Sequence, residues 1–181
     1  MEHRHAGAHR VDLVVYPGFK ALEAIGPMSV FDYANVHLRE RGRPDGYDVR
    51  IVAAERGMVR SDTLMSLEAT HSLDDVERDR LGCTVVIVGS RHIERVLGES
   101  SGLVQWLERV GPKVQRLISL CSGSFLLAKV GLLDGRRAAT HWSVAGALQQ
   151  KFPRIDVDAD AIYVRDGALW TSAGVTAGID L

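Results

Sequence analysis

Val85-Val86-Ile87-Val88 is an unbroken β-branched run, entered from Thr84 and closed by Gly89. No polar residue alternates within it, so both faces of such a strand must be buried. Parallel sheets covered by helices on both sides are where strands of that kind occur. Leu117-Ile118-Ser119-Leu120 is a second buried run of the same sort. Helical patterns fill the intervals. Ala24 to about Arg41 predicts a helix with Val30, Phe31, Ala34 and Leu38 on one face. Leu103 to Val110 predicts another, ended by Gly111-Pro112, and Ser122–Val130 and Ser143–Phe152 predict two more.

Further strands are expected at Val11–Tyr16, which Pro17-Gly18 ends, and at Tyr47–Ala53. Asp62–Thr70 reads as a short strand or hairpin. Ala161–Val164 and Ala168–Ser172 flank Asp166-Gly167, a hairpin signal. Strands alternating with helices and closing on a hairpin define an α/β sandwich around a mostly parallel sheet.

One domain accounts for the chain of 181 residues, with no repeat or linker. Residues 1–10 read as a disordered N-terminal arm. Its His3, His5 and His9 would otherwise make a metal-binding arm. The ordered domain is expected over 11–181. At its end, Thr176 resembles a helix N-cap, and the chain stops about where the first turn would close. That pattern suggests a domain truncated at its C-terminus, or a piece of a longer protein.

Composition narrows the function. Hydrophobic residues make up 46% and charged residues 25%, an ordinary globular balance that argues against disorder. Lys and Arg number 22 against 23 Asp and Glu, a formal charge of −1, so there is no basic footprint for a nucleic-acid backbone. No apolar stretch approaches a membrane span and no secretory leader is visible. Two cysteines, Cys83 and Cys121, make no disulfide framework. They point to free thiols in a reducing cytoplasm.

The sharpest chemical feature is Leu117-Ile-Ser-Leu-Cys121-Ser-Gly-Ser-Phe-Leu-Leu-Ala128: strand, cysteine, small-residue turn, helix. This is the pattern of a nucleophile elbow, which exposes the side chain at the carboxyl edge of a sheet. The following helix would aim its N-terminus at the sulfur and favour thiolate. A buried structural cysteine fits the pattern as well. Cys83, just before a buried strand, reads as a small core residue. Glu23 follows the first strand as Cys121 follows a later one, so both should reach one edge. There Glu23 would serve as a hydrogen-bond partner or general acid, or merely complement the dipole of its helix. His141 would orient or deprotonate the thiol, or pack half-buried against a carbonyl. The histidines show no ligand spacing, and there is no Walker or Gly-x-Gly-x-x-Gly loop. Neither a metal nor a cofactor is expected.

Four segments resemble the DJ-1/PfpI superfamily: Val15-Tyr-Pro-Gly-Phe19 with Leu22-Glu-Ala-Ile-Gly-Pro27, the strand ending Val88-Gly-Ser90, Ser119-Leu-Cys-Ser-Gly-Ser124, and Gly131 to Trp142. The resemblance implies a flavodoxin-like three-layer sandwich related to class I glutamine amidotransferases. The runs Phe152–Asp160, Tyr163–Gly167 and Trp170–Leu181 are most similar to the N-terminal domain of GlxA-type AraC-family regulators. By that likeness Cys121 takes the place of the reactive cysteine and Glu23 that of its acidic partner. A ligand pocket is implied at Glu23, Gly89, Ser90, Cys121, Ser122 and His141. Ser122 stands where PfpI-type proteases have His, which argues against peptidase activity. Gly89-Ser90 stands where the enzymes have Gly-Gly, which puts the oxyanion site in question. The implied protein is a homodimeric sensor of a small-molecule effector, touching DNA only through a helix-turn-helix domain outside this chain. The alternative is a stand-alone cysteine-dependent enzyme of hydratase or glyoxalase type.

Overall fold

The computed structural model describes residues 7–78, 83–174 and 176. β1 (His9–Val14) turns at Pro17-Gly18 into α1 (Ala21–Glu40), and β2 (Tyr47–Ala53) returns. The hairpin β3 (Gly57–Arg60) and β4 (Ser66–Ala69) follows, then β5 (His71–Ser72) and α2 (Leu73–Arg78). β6 (Thr84–Ile87) is the β-branched run. It leads through α3 (Ile93–Glu99) and α4 (Ser101–Val110) to β7 (Arg116–Leu120). A tight 3-10 turn at Cys121–Gly123 opens α5 (Ser124–Lys129). β8 (Arg137–Ala138), α6 (Trp142–Lys151), β9 (Asp156–Val157), β10 (Tyr163–Asp166) and β11 (Leu169–Ser172) complete the described chain.

Seven strands form the main sheet in the order β10-β11-β7-β6-β1-β2-β5. Every pairing in it is parallel except that of β10 with β11. The stretch β2-β1-β6-β7-β11 has the 2-1-3-4-5 order of flavodoxin-like sheets, and the order reverses between β1 and β6. One face packs Val85, Ile87 and Leu117 against Leu73, Val96, Trp106, Leu107, Phe125 and Leu126 from α2 to α5. The other face packs Val11, Leu13, Val86 and Leu120 against Met28 and Phe31 of α1. The sandwich therefore has three layers, with the large core on the α2–α5 side.

Several boundaries differ from the sequence reading. β1 starts at His9, so the arm gives way to the sheet before residue 10. The His9 ring sits beside Thr84, Nε2 to Oγ1 2.8 Å, rather than in a metal-binding tail. His3 and His5 lie outside the described residues, as do 175 and 177–181, where a terminal helix was expected. The hairpin expected at Asp62–Thr70 begins earlier, at Gly57, and residues 61–65 are its loop. The β10–β11 turn is Gly167-Ala168 because Asp166 pairs with Leu169. Gly167 takes φ +63°, which a glycine adopts freely.

Candidate functional site

Ligands in open α/β sheets bind outside the carboxyl ends of the strands where their order reverses. Here the segments leaving β1, β6 and β7 bring Lys20 and Glu23, Gly89 and Ser90, and Cys121 and Ser122 to that place. Cys121 has φ +53° and is the sole non-glycine described residue with a positive φ. Such a conformation costs about 1–3 kcal/mol and persists where its surroundings enforce it. Two hydroxyls do so: Ser124 Oγ at 3.2 Å and Thr140 Oγ1 at 2.9 Å both donate to the Cys121 carbonyl. Gly123 is needed just behind, since a Cβ there would stand 2.6 Å from the Ile87 carbonyl oxygen. The elbow read from the sequence is thus present.

The thiol is buried, and its nearest cation is Lys20, whose Nζ donates to Sγ at 2.8 Å. The same Nζ lies 3.6 Å from Glu23 Oε1. Glu23, 1% exposed in the first turn of α1, accepts the Gly89 N–H on Oε2 at 2.7 Å. The Ser90 N–H donates to Ser122 Oγ at 3.0 Å, and that hydroxyl donates back to the Ser90 carbonyl at 2.8 Å. Both amides at the end of β6 are therefore taken by the chain's own side chains. Gly89 is also closely packed, though by side chains: a Cβ would meet Glu23 Oε2 and Ser122 Oγ at 2.9 Å. Gly174, with φ +89°, lies over the cysteine, and a Cβ there would come within 2.1 Å of Cys121 Cβ.

Electrostatics bear on the thiol's charge, which the sequence leaves open. The Cys121 thiol is pushed up to about 11, first by burial and then by the Glu23 charge. Lys20 and the Ser122 amide pull it down, but by less. The neutral thiol, not the thiolate, is the resting form. The helix behind it has six residues and follows a 3-10 turn, so its dipole is small.

The structure brings Glu23, Gly89, Ser90, Cys121 and Ser122 into one cluster. His141 stands at its margin. It caps α6, its Nδ1 lies 2.8 Å from Ser143 Oγ and 3.3 Å from Ser143 N, and its ring bonds go there rather than to the sulfur. Burial and the Lys20 charge lower its pKa. Sequence reasoning missed Lys20 and Gly174. Lys20 and Glu23 stand three apart at a helix start, a spacing that puts two side chains on one face. Nothing local marks Gly174, since its contact is with a distant part of the chain. Cys83 is buried as expected, and burial, then the nearby Asp12 charge, pushes its thiol up to about 12.

A parallel α/β sandwich whose strained cysteine elbow sits beside a buried glutamate defines a class of proteins. The DJ-1/PfpI family model matches residues 9–181, and the chain belongs to that family. It is 32% identical over 168 residues to the HTH-type transcriptional regulator CdhR of Pseudomonas aeruginosa, covering 93% of this chain and 47% of the regulator. The chain thus spans about half that regulator's length. It is 27% identical to the isonitrile hydratase of Pseudomonas putida, covering 96% of this chain and 68% of that protein. A ThiJ/PfpI family protein from Pseudomonas syringae superposes with a TM-score of 0.79 at 29% identity, over 96% of this chain and 66% of that one. No helix among the described residues is long and apolar enough to cross a membrane.

Proposed function

We propose that this domain is the small-molecule-sensing half of an AraC-type transcription regulator. In that reading it acts as a cytoplasmic homodimer, and a helix-turn-helix domain outside this chain contacts DNA. The observation that carries the reading is the state of the β6 amides. Acyl-transfer and hydrolytic chemistry needs donors aimed at a developing oxyanion. Gly89 N–H is given to Glu23 and Ser90 N–H to Ser122. A protonated, covered thiol adds to this, because the thiolate is the nucleophile. The likeness to CdhR supports the same reading. The effector would bind where Lys20, Glu23, Ser90 and His141 gather, and differential affinity for two dimer arrangements would be the switch.

The competing reading is a cysteine-dependent hydratase, favoured by the elbow and by the likeness to isonitrile hydratase. Thermal melts of the chain against a panel of small polar metabolites separate the two, alongside an isonitrile turnover assay. A sensor gives a dose-dependent rise in Tm, about 2.7 kcal/mol of stabilisation at a hundredfold excess over Kd, with no turnover. Formamide production that disappears in Cys121→Ala would establish the hydratase instead.

A further inference from the structure

Three reactive groups meet at the elbow from two separate elements. Lys20 Nζ touches Cys121 Sγ at 2.8 Å and lies 3.6 Å from Glu23 Oε1. Lys20 is 20% exposed along its side chain, so small solutes reach the pair from its side, while Gly174 covers the sulfur from another. An amine in contact with a thiol, with a carboxylate beside it, is a complete reactant set once the sulfur is oxidised.

We propose that Lys20 traps peroxide-oxidised Cys121 as a sulfenamide, a reversible covalent bond tying the start of α1 to the end of β7. This holds whatever the site binds. In the first step the sulfur attacks a hydroperoxide. A Sγ–O bond forms, the O–O bond breaks, and water or an alcohol leaves. Sulfur is oxidised by two electrons and the peroxide is reduced, leaving Sγ–OH. In the second step the Lys20 ammonium passes one proton to the Glu23 carboxylate. The free amine attacks Sγ, the S–N bond forms, and the S–O bond breaks. The departing hydroxide takes a second amine proton and leaves as water. No electron changes hands in that step. The protein has lost two hydrogens, and an added dithiol restores both side chains: its first thiol displaces the Lys20 amine to give a mixed disulfide with Cys121, and its second releases the Cys121 thiol as the reagent closes to its own disulfide.

Geometry favours lysine over other traps. The lysine stem is long and flexible, so closing from contact to bonding distance needs no backbone shift. Cys83, the other thiol, is buried beside Asp12. A bridge would also protect the sulfur from the irreversible sulfinic stage.

The test is intact-mass analysis of the Cys83→Ser chain after hydrogen peroxide treatment at about pH 10, where a thiol raised to about 11 is about one-tenth ionised. Removing Cys83 excludes a disulfide within the chain, which would have the same mass. The expected product is lighter by about 2 Da, is reverted by dithiothreitol, and yields a peptide joining residues 20 and 121. Lys20→Arg keeps the cation but not the nucleophile. It should proceed to sulfinic acid, a gain of about 32 Da. Circular dichroism checks that this variant is folded, and the joined peptide decides the matter without it. The proposal is overturned if the Cys83→Ser chain stays unmodified or only gains oxygen. It is equally overturned if Lys20→Arg also loses two hydrogens, because a backbone nitrogen is then the trap. A failed effector screen leaves all of these readouts in place.

Discussion

At the elbow, single atoms decide what is allowed. Gly174→Ala would place a methyl group 2.1 Å from Cys121 Cβ, against backbone, in a conformation that disfavours any Cβ. Overpacking of this kind costs about 1–3 kcal/mol, and the positive φ adds to it. The expected result is a lower Tm, with faster alkylation of Cys121 as the Ala173–Gly174 backbone is forced off the sulfur. The thiol also makes stability depend on pH. Its value is about 11 in the fold against an ordinary 9.0, so the unfolded chain loses this proton first. A raised value stabilises the fold below pH 9 and ceases to do so as pH rises towards 11. The loss is about 2–3 kcal/mol for a shift of this size. Urea melts across that window should show the decline, and Cys121→Ser should flatten it, leaving the part due to Cys83. The sequence placed Cys121 and Glu23 at one sheet edge because strand-turn-helix punctuation and position after a strand are local signals. It left the thiol's charge open, because that depends on burial and on the Glu23 charge, which come from contacts with other parts of the chain.

At the scale of elements, α1 shows how a loop elsewhere in the chain holds a functional helix. Lys20 is its N-cap but makes no side-chain cap. Asp62, in the β3–β4 loop, substitutes: its Oδ1 accepts the Ala21 N–H at 3.3 Å, and its Oδ2 pairs with Arg91 Nε at 2.8 Å. The Asp62 N–H donates to the Phe19 carbonyl at 2.8 Å, so the hairpin is tied to the segment that presents Lys20 and Glu23. Asp62→Ala should cost about 1 kcal/mol, the usual worth of a cap. Hydrogen exchange should quicken at the first turn of α1 and not at α4. The buried strands of this fold were legible because β-branched runs are strong signals, whereas α1 buries Ala24 and Asn35 and leaves Val30 of the expected face exposed. α2 and α3 were not legible, being six and seven residues long. α2 nonetheless has a sequence mark. Ser72 and Asp75 form a capping box, with Ser72 N–H to Asp75 Oδ2 at 2.8 Å and Asp75 N–H to Ser72 Oγ at 3.2 Å.

Across the whole molecule, the sheet separates the cysteine elbow at its carboxyl edge from a buried ion pair in its core. Asp12 and Arg50 are register partners on β1 and β2, both buried, with Arg50 Nε 2.6 Å from Asp12 Oδ1. They lie on the large-core face, where the alternation of β1 and β2 would otherwise place apolar side chains. Such a pair adds little net stability over a well-packed apolar one, because both ions give up their hydration. Removing one partner is a different matter. Arg50→Met strands a carboxylate in the interior, and a loss of about 3–5 kcal/mol is expected. Asp12→Leu combined with Arg50→Met should regain most of that loss, giving a large coupling in a double-mutant cycle measured by urea denaturation. Losing the Asp12 charge should also lower the Cys83 thiol from about 12, since after burial the Asp12 charge is what raises it most. The Cys121 thiol should keep its value, because Glu23 rather than Asp12 is the carboxylate that raises it. Separate responses of the two thiols to one substitution would show that each thiol's electrostatics are set by its own neighbouring carboxylate.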